Sequence, residues 1–311
     1  MSARVGIIGL GWVGSSVAIS TLHRGLASEL LLNDVREGLA QGEAMDFEHG
    51  SLFYRSDASV RAASVEEMAE SCDAVVLAAG RGGGATESRL ALAQDNAAMA
   101  TDIGRRLRGF AGVVVVVSNP VDVLAQVVQE ASALPRPRVI GTGTLLDSAR
   151  LRYELGAELD VHPQSVHAYV VGEHGDSEVC LWSSARVGGR SVRDWPGWST
   201  ATERAIAERV RRAAYEIIAR KGATNHAIGL VTATLLAAIL GDEKRILTVS
   251  RVHDGACGLS DVAVSLPTVI RRSGAATVVE PGMDADELQR LERSAGVVRN
   301  ARREISALDA T

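Results

Sequence analysis

The sequence predicts an α/β chain, a doubly wound and mostly parallel sheet followed by an α+β half, on three observations. Short β-branched runs alternate with longer helical patterns through the first half, as strand–helix–strand units do. Those runs are continuously apolar, as in strands covered on both faces. After about residue 145 the pattern changes to long helices around two isolated strands.

In order, the first-half strands are expected at Val5–Ile8, Leu30–Asn33, Ala74–Ala79, Val113–Ser118 and Val139–Gly141. Between them, residues 14–24, 37–46, 90–107 and 120–131 carry helical spacing. The second half is read as helices over 146–159, 200–221, 224–240 and 284–307, with strands at Val166–Val171 and Arg245–Arg251. The expected domains are residues 1–143 and 144–311. No Pro/Gly/Ser linker separates them, so an extensive shared interface is expected.

The 311 residues are 46% hydrophobic and 23% charged, ordinary values for a soluble globular chain of about two domain-lengths. A net charge of −5 gives no overall field for nucleic acid. Cys72, Cys180 and Cys257 lack metal or CxxC spacing and read as reduced, buried thiols of a cytoplasmic protein. No metal site is expected. The first strand begins within a few residues of Met1, leaving no room for a signal peptide, and no apolar run reaches the ~20 residues of a membrane span.

Gly9, Gly11 and Gly14 fall at GxGxxG spacing between a strand and a helix. Glycine there permits a tight turn, close approach of backbone amides to a pyrophosphate, and close helix packing. Leu30–Asn33 then runs into Asp34, 20 residues after Gly14. A carboxylate at that point accepts ribose hydroxyls and repels a 2′-phosphate, which favours NAD over NADP. The first half is therefore expected to be a Rossmann domain.

Four side chains are candidates for chemistry. His174 lies between glycines in Gly172-Glu173-His174-Gly175-Asp176, just past a strand; it is either an exposed loop histidine or an imidazole presented to a cleft. Asp147 and Arg150 are three residues apart and share a helix face. They are either a surface ion pair or a carboxylate that orients a protonated histidine beside a cation that grips a carboxylate. Arg89 follows the glycine-rich stretch 80–84 at the end of the Ala74–Ala79 strand, where α/β sheets bind ligands. It belongs either to a plain surface loop or to a segment that covers a substrate.

Together these segments resemble the L-lactate and malate dehydrogenase family, and the lactate branch more closely. The resemblance runs in order through Gly9–Gly14, Asn33-Asp34-Val35, Met45-Asp46-Phe47-Glu48-His49-Gly50, Glu87-Ser88-Arg89-Leu90, Val117-Ser118-Asn119-Pro120-Val121-Asp122, Leu145–Arg150 and Gly172–Asp176. It implies an NAD-dependent L-2-hydroxyacid dehydrogenase, with His174 as acid/base and Asp147 bound to its other ring nitrogen. Arg150 then clamps the substrate carboxylate and Arg89 polarises the carbonyl once the segment 82–89 closes. Asn119 would lie near nicotinamide and substrate, and Thr224 and Ile228 would line the substrate pocket and the nicotinamide face. Gly9, Gly11, Trp12, Val13, Gly14, Asp34, Ala79, Gly80 and Ser118 complete the expected cofactor site.

The sequence departs from the family at Gly83, where lactate enzymes usually carry glutamine and malate enzymes arginine. Without a cation there, malate should be a poor substrate, and space is left for 2-oxo acids bulkier than pyruvate. His226, two residues after Thr224, either meets a polar substrate group or faces a neighbouring subunit. Arg152 and His167 match positions where allosteric relatives bind fructose 1,6-bisphosphate, or else they merely line an interface. A homotetramer or homodimer is implied by resemblance alone. The rival reading from another class is a non-catalytic NAD(H) sensor on the same fold.

Overall fold

The computed structural model describes residues 3–55, 57–81 and 89–308. Through the first half the chain runs β1 (Arg4–Ile8), α1 (Trp12–His23), β2 (Glu29–Asn33), α2 (Glu37–His49), β3 (Ser59–Ala62), α3 (Val65–Ser71), β4 (Ala74–Leu77), α4 (Arg89–Arg106), β5 (Val113–Val116), α5 (Val121–Ser132) and β6 (Val139–Gly141). The second half adds α6 (Leu145–Leu159), β7 (Val166–His167), β8 (Val170–Val171), β9 (Val179–Cys180), β10 (Arg186–Val187) and β11 (Arg190–Ser191). It ends with α7 (Thr200–Lys221), α8 (His226–Leu240), β12 (Ile246–Asp254), β13 (Ser260–Arg271), β14 (Gly274–Val278) and α9 (Ala285–Leu308).

The main sheet has the order β14-β13-β12-β6-β5-β4-β1-β2-β3. Its β3-β2-β1-β4-β5-β6 portion is parallel, the strand order of doubly wound dinucleotide-binding sheets. Registers Ile8↔Asn33, Ile8↔Leu77 and Leu77↔Val116 align the carboxyl ends, so the residues that follow emerge along one edge. The order reverses between β1 and β4, and the crevice opens there.

Continuous apolar strands serve two cores by alternation. Val113 and Val115 face a core shared with α1, α2 and α8, whereas Val114 and Val116 face one shared with α3, α4, α5 and α9. A third core joins α6, α7 and the small strands of the second half through Leu151, Leu155, Trp182, Ile206 and Val210.

The halves are more intimately joined than separate sheets would be. β12 pairs antiparallel with β6 at Ser250↔Gly141, where a Cβ on Gly141 would lie 3.0 Å from the Ser250 Cβ. The second half thus extends the first half's sheet with three antiparallel strands.

Several expected elements differ in detail. α1 starts at Trp12, two residues before the expected Gly14, because the turn itself opens the helix. The expected strand Val166–Val171 is two short strands in two different sheets. α8 begins at His226 instead of Thr224, and Asn225 does not cap it; its side-chain amide donates to Ser16 Oγ at 2.9 Å. α3, β3, β9, β10, β11, β13 and β14 were not expected. β13 carries Pro267 between two partners, a residue that ordinarily argues against a central strand.

Candidate active site

The glycine turn is built as dinucleotide binding requires. Gly9 has φ +92°, and a Cβ there would lie 2.3 Å from the Ala79 backbone; one on Gly14 would lie 1.9 Å from the Gly9 carbonyl oxygen. Both positions exclude a side chain by close packing. At Gly11 a Cβ would meet open space, so this glycine leaves room for a ligand at the α1 N-terminus, whose first turn carries no acid. Trp12 is exposed, Val13 half-buried and Gly14 buried.

Asp34 closes the far end of this groove. Its Oδ2 accepts the Leu10 N–H at 2.9 Å, and its Oδ1 accepts the Arg36 N–H at 3.0 Å and Nε–H at 3.2 Å. Partial burial opposes ionisation, but those amides and the guanidinium outweigh it and hold the carboxyl below its usual range. A cleft of about 410 Å3 runs past Gly9, Gly11, Asp34, Ala79 and Gly80. Ser118 is buried at its edge, its hydroxyl donating to the Leu77 and Ala79 carbonyls. Steric void, free helix terminus and terminal carboxylate together fit NAD.

The second cluster lies where α6 meets the segment after β8. His174 Nδ1 is 2.6 Å from Asp147 Oδ2, and Arg150 Nη1 donates to Asp147 Oδ1 at 2.8 Å. Asp147 is 2% exposed and the Arg150 side chain 14%. The i,i+3 pair therefore joins a buried carboxylate to a half-buried guanidinium and is not a solvated surface pair. The sequence spacing was silent on this, because a shared helix face does not say what covers it.

Three elements hold the His174 segment. Gly172 pairs with Ser265 of β13 through reciprocal backbone bonds of 2.9 and 2.8 Å. Gly172 has φ +89°, and a Cβ would reach within 2.6 Å of Ser294 Oγ on α9. Glu173 N–H donates to that hydroxyl at 2.8 Å, and His174 N–H donates to Asp122 Oδ2 on α5 at 2.8 Å. Because α5 follows β5, this last bond ties the histidine to the carboxyl edge of the parallel sheet.

Burial of the imidazole disfavours its cation, but Asp147, with Asp122 and Glu178 behind it, more than offsets that and raises the His174 pKa to about 9. Burial likewise penalises ionised Asp147, and His174 and Arg150 overcome it, so the carboxyl stays ionised at neutral pH. Asp122, fully desolvated, is pushed up to about 6 despite accepting the His174 amide. Asp122 and Glu178 were not among the sequence candidates. Only a fold that brings α5 and β9 against the histidine reveals them.

Asn119 is exposed at the end of β5; its carbonyl accepts from Asn96 Nδ2 at 3.1 Å, and Asn96 also accepts the Arg81 N–H at 2.9 Å. This buried asparagine, also not a sequence candidate, links the β4 and β5 ends. Thr224 shares with Arg150 a cavity of about 560 Å3 between α6, α7 and α8, which His226 also borders. Ile228 packs half-buried against the core behind the glycine turn. Arg152 donates to the Ala168 carbonyl at 3.1 Å and stacks 5.5 Å from the Tyr169 ring centroid, beside exposed His167. Arg89 is the first residue of α4, with its side chain outside the description, and Gly83 lies outside the described residues. Among those residues no cluster of His, Cys, Asp or Glu is placed to hold a metal, and no helix is long and apolar enough to cross a membrane.

A sheet of this order, an acid-terminated second strand and a carboxylate–imidazole pair beside a half-buried arginine define the class of nicotinamide-dependent dehydrogenases. The chain belongs to the lactate/malate dehydrogenase family: the family's NAD binding domain matches residues 3–141 and its alpha/beta C-terminal domain residues 144–308. It is 43% identical over 310 residues to an L-lactate dehydrogenase of Salinibacter ruber, covering 97% of each chain. A counterpart of the same name from Kosmotoga olearia is 40% identical over 308 residues, covering 96% of this chain and 95% of its own. The solved structure of the minor L-lactate dehydrogenase of Enterococcus mundtii in a ligand-bound form superposes with TM-score 0.94 at 36% identity, over 97% of this chain and 98% of that one.

Proposed function

We propose that this chain is an NAD-dependent L-2-hydroxyacid dehydrogenase of the L-lactate dehydrogenase type, which reversibly reduces pyruvate or a bulkier 2-oxo acid. One observation carries the residue assignments: His174 bonded to buried Asp147, whose second oxygen holds Arg150. Residues 1–143 hold the cofactor through the Gly9–Gly14 turn, Asp34, Ala79, Gly80 and Ser118 and contribute Arg89 and Asn119 to the substrate site, and residues 144–311 supply His174, Asp147 and Arg150.

Bound NADH supplies the hydride that adds to C2 of the oxo acid. His174, its Nδ1 engaged by Asp147, delivers the proton to the carbonyl oxygen from Nε2 and is left neutral. Asp147 fixes the ring and favours its cation before transfer, while Arg150 grips the substrate carboxylate by two parallel hydrogen bonds. Arg89 polarises the carbonyl, Asn119 and Thr224 border the substrate, and Ile228 the nicotinamide. In the oxidising direction neutral His174 accepts the hydroxyl proton.

Gly83 argues for tolerance of larger side chains and against malate. A homodimer or homotetramer in the cytoplasm follows from the family resemblance, and exposed Trp12, Ile19, Met45, Leu52 and Phe53 on and after α1 and α2 are apolar side chains that a second copy could cover. Arg152 and His167, on neighbouring segments, are the proposed cations for fructose 1,6-bisphosphate across a subunit interface. Comparison of kcat/KM for pyruvate, oxaloacetate, 2-oxoisocaproate and phenylpyruvate tests the substrate reading. Preference for oxaloacetate by more than about tenfold would contradict it, since tenfold corresponds to about 1.4 kcal/mol of discrimination. Unchanged kinetics and mass with fructose 1,6-bisphosphate would remove the effector.

A further inference from the structure

More carboxyl groups are buried around His174 than proton transfer requires. Asp147 orients the ring and Asp122 receives the backbone amide. Glu178 has neither task. It lies four residues past His174, is 8% exposed, and its Oε1 is buried without a hydrogen-bond partner. Its backbone N–H turns back to the Gly175 carbonyl at 3.1 Å.

The charged and titratable groups that face it come from every surrounding element. Asp147 and Arg150 face it from α6, His174 from its own segment, Arg211 from α7 and Cys180 from β9. Both arginines also bond other carboxylates: Arg150 bonds Asp147 at 2.8 Å, and Arg211 Nη1 bonds Glu208 at 2.8 Å, while Arg211 Nε is buried without a partner. A buried carboxylate without donors is costly, so Glu178 ionises only with help from nearby cations, the His174 imidazolium first among them and Arg211 and Arg150 behind it.

We propose that Glu178 is a positioning residue for proton transfer: its buried carboxyl faces the Asp147–His174 pair and, by ionising, keeps the imidazolium charged into alkaline solution. The inference rests on His174 being the acid/base. Burial, reinforced by Asp147, pushes Glu178 up to about 8, below the value of about 9 reached by His174. The charged ring and the charged carboxylate favour one another, so ionised Glu178 opposes deprotonation of the ring.

The test is the pH dependence of kcat/KM in both directions. Glu178→Gln should move the alkaline limb of 2-oxo acid reduction to lower pH by about half a unit or more. The acid limb of hydroxy acid oxidation should move the same way, and Glu178→Asp should largely restore both. Limbs that superimpose on the wild type overturn the inference. A measurement that needs no variant is NMR titration of the His174 ring in the wild-type holoenzyme. Two steps are expected, the first near the ionisation of Glu178, and a single step overturns the inference. Should the wild type turn over no 2-oxo acid, the proposed function fails while the titration still decides the role of Glu178.

Discussion

Replacing Asp147 by Asn changes one oxygen to an amide and leaves the packing nearly intact, so the effect on His174 can be worked from the structure. Asp147 lies 2.6 Å from the ring nitrogen and is 2% exposed. The rise of the histidine from 6.5 to about 9 corresponds to about 3 kcal/mol of preference for the imidazolium. Since 27% of the His174 side chain is exposed, solvent screening reduces this to roughly 2 kcal/mol. In Asp147→Asn the burial that disfavours the cation remains while its main counterweight is gone, so the ring should titrate at or below its ordinary value. At pH 7.5 most molecules then lack the proton for 2-oxo acid reduction, a loss of about tenfold from protonation alone, and loss of orientation brings the total to about 100-fold. Steady-state reduction followed against pH should show the alkaline limb displaced downward by one or more units. The same linkage appears in stability. The raised histidine contributes fully below about 6.5 and loses that contribution as pH rises through about 9; wild-type Tm should fall across this window, and that of the variant should not. A variant whose profile and Tm dependence match the wild type would refute the reasoning.

Two glycines of the turn should separate binding from folding. Gly11→Ala should fold with unchanged Tm but bind NADH at least about tenfold more weakly, whereas Gly14→Ala should lose stability by a few kcal/mol, on the scale of core overpacking, because its Cβ would lie 1.9 Å from the Gly9 carbonyl. Calorimetry of both variants with and without NADH checks this. Asp34→Ser removes the carboxylate that meets a 2′-phosphate and frees Arg36 from its 3.2 Å bond, so the ratio of NADPH to NADH use should rise about tenfold or more; an unchanged ratio would show that Asp34 does not choose the cofactor. Asp122→Asn keeps an acceptor for the His174 amide and removes a carboxyl whose pKa burial lifts to about 6. The wild type takes on the cost of a buried charge as pH rises from 3.8 to about 6, so the variant should gain about 3 kcal/mol at pH 8 and little at pH 3; equal gains at both would contradict it.

Much of this was legible in the sequence because each signal was local. The strand before Gly9, the glycine spacing and Asp34 lie within one βαβ unit, and the valines of β5 can hardly be anything but a buried strand. The pairing of Asp147 with His174 joins residues 27 apart, and spacing alone gave Asp147 and Arg150 a common face without saying what covered it. Family resemblance supplied that link. Asp122, Glu178 and Asn96 were illegible for a related reason. Asp122 and Asn96 act through contacts between elements distant in sequence, Glu178 through a local turn that sequence spacing does not show, and buried polar residues carry no periodic signature. β13 was hidden by Pro267, and the split of β7 from β8 by a change of sheet inside one apolar run.

The proposed activity requires His174, Asp147 and Arg150 to act as one unit on a 2-oxo acid with NADH. Loss of NADH absorbance with pyruvate, 2-oxoisocaproate and phenylpyruvate, measured for wild type and His174→Gln, addresses that claim directly. Turnover of at least one acid by the wild type, lowered by a factor on the order of 100 or more in the variant, is the predicted result. Bound NADH with no turnover of any acid, or a variant as active as the wild type, would contradict it.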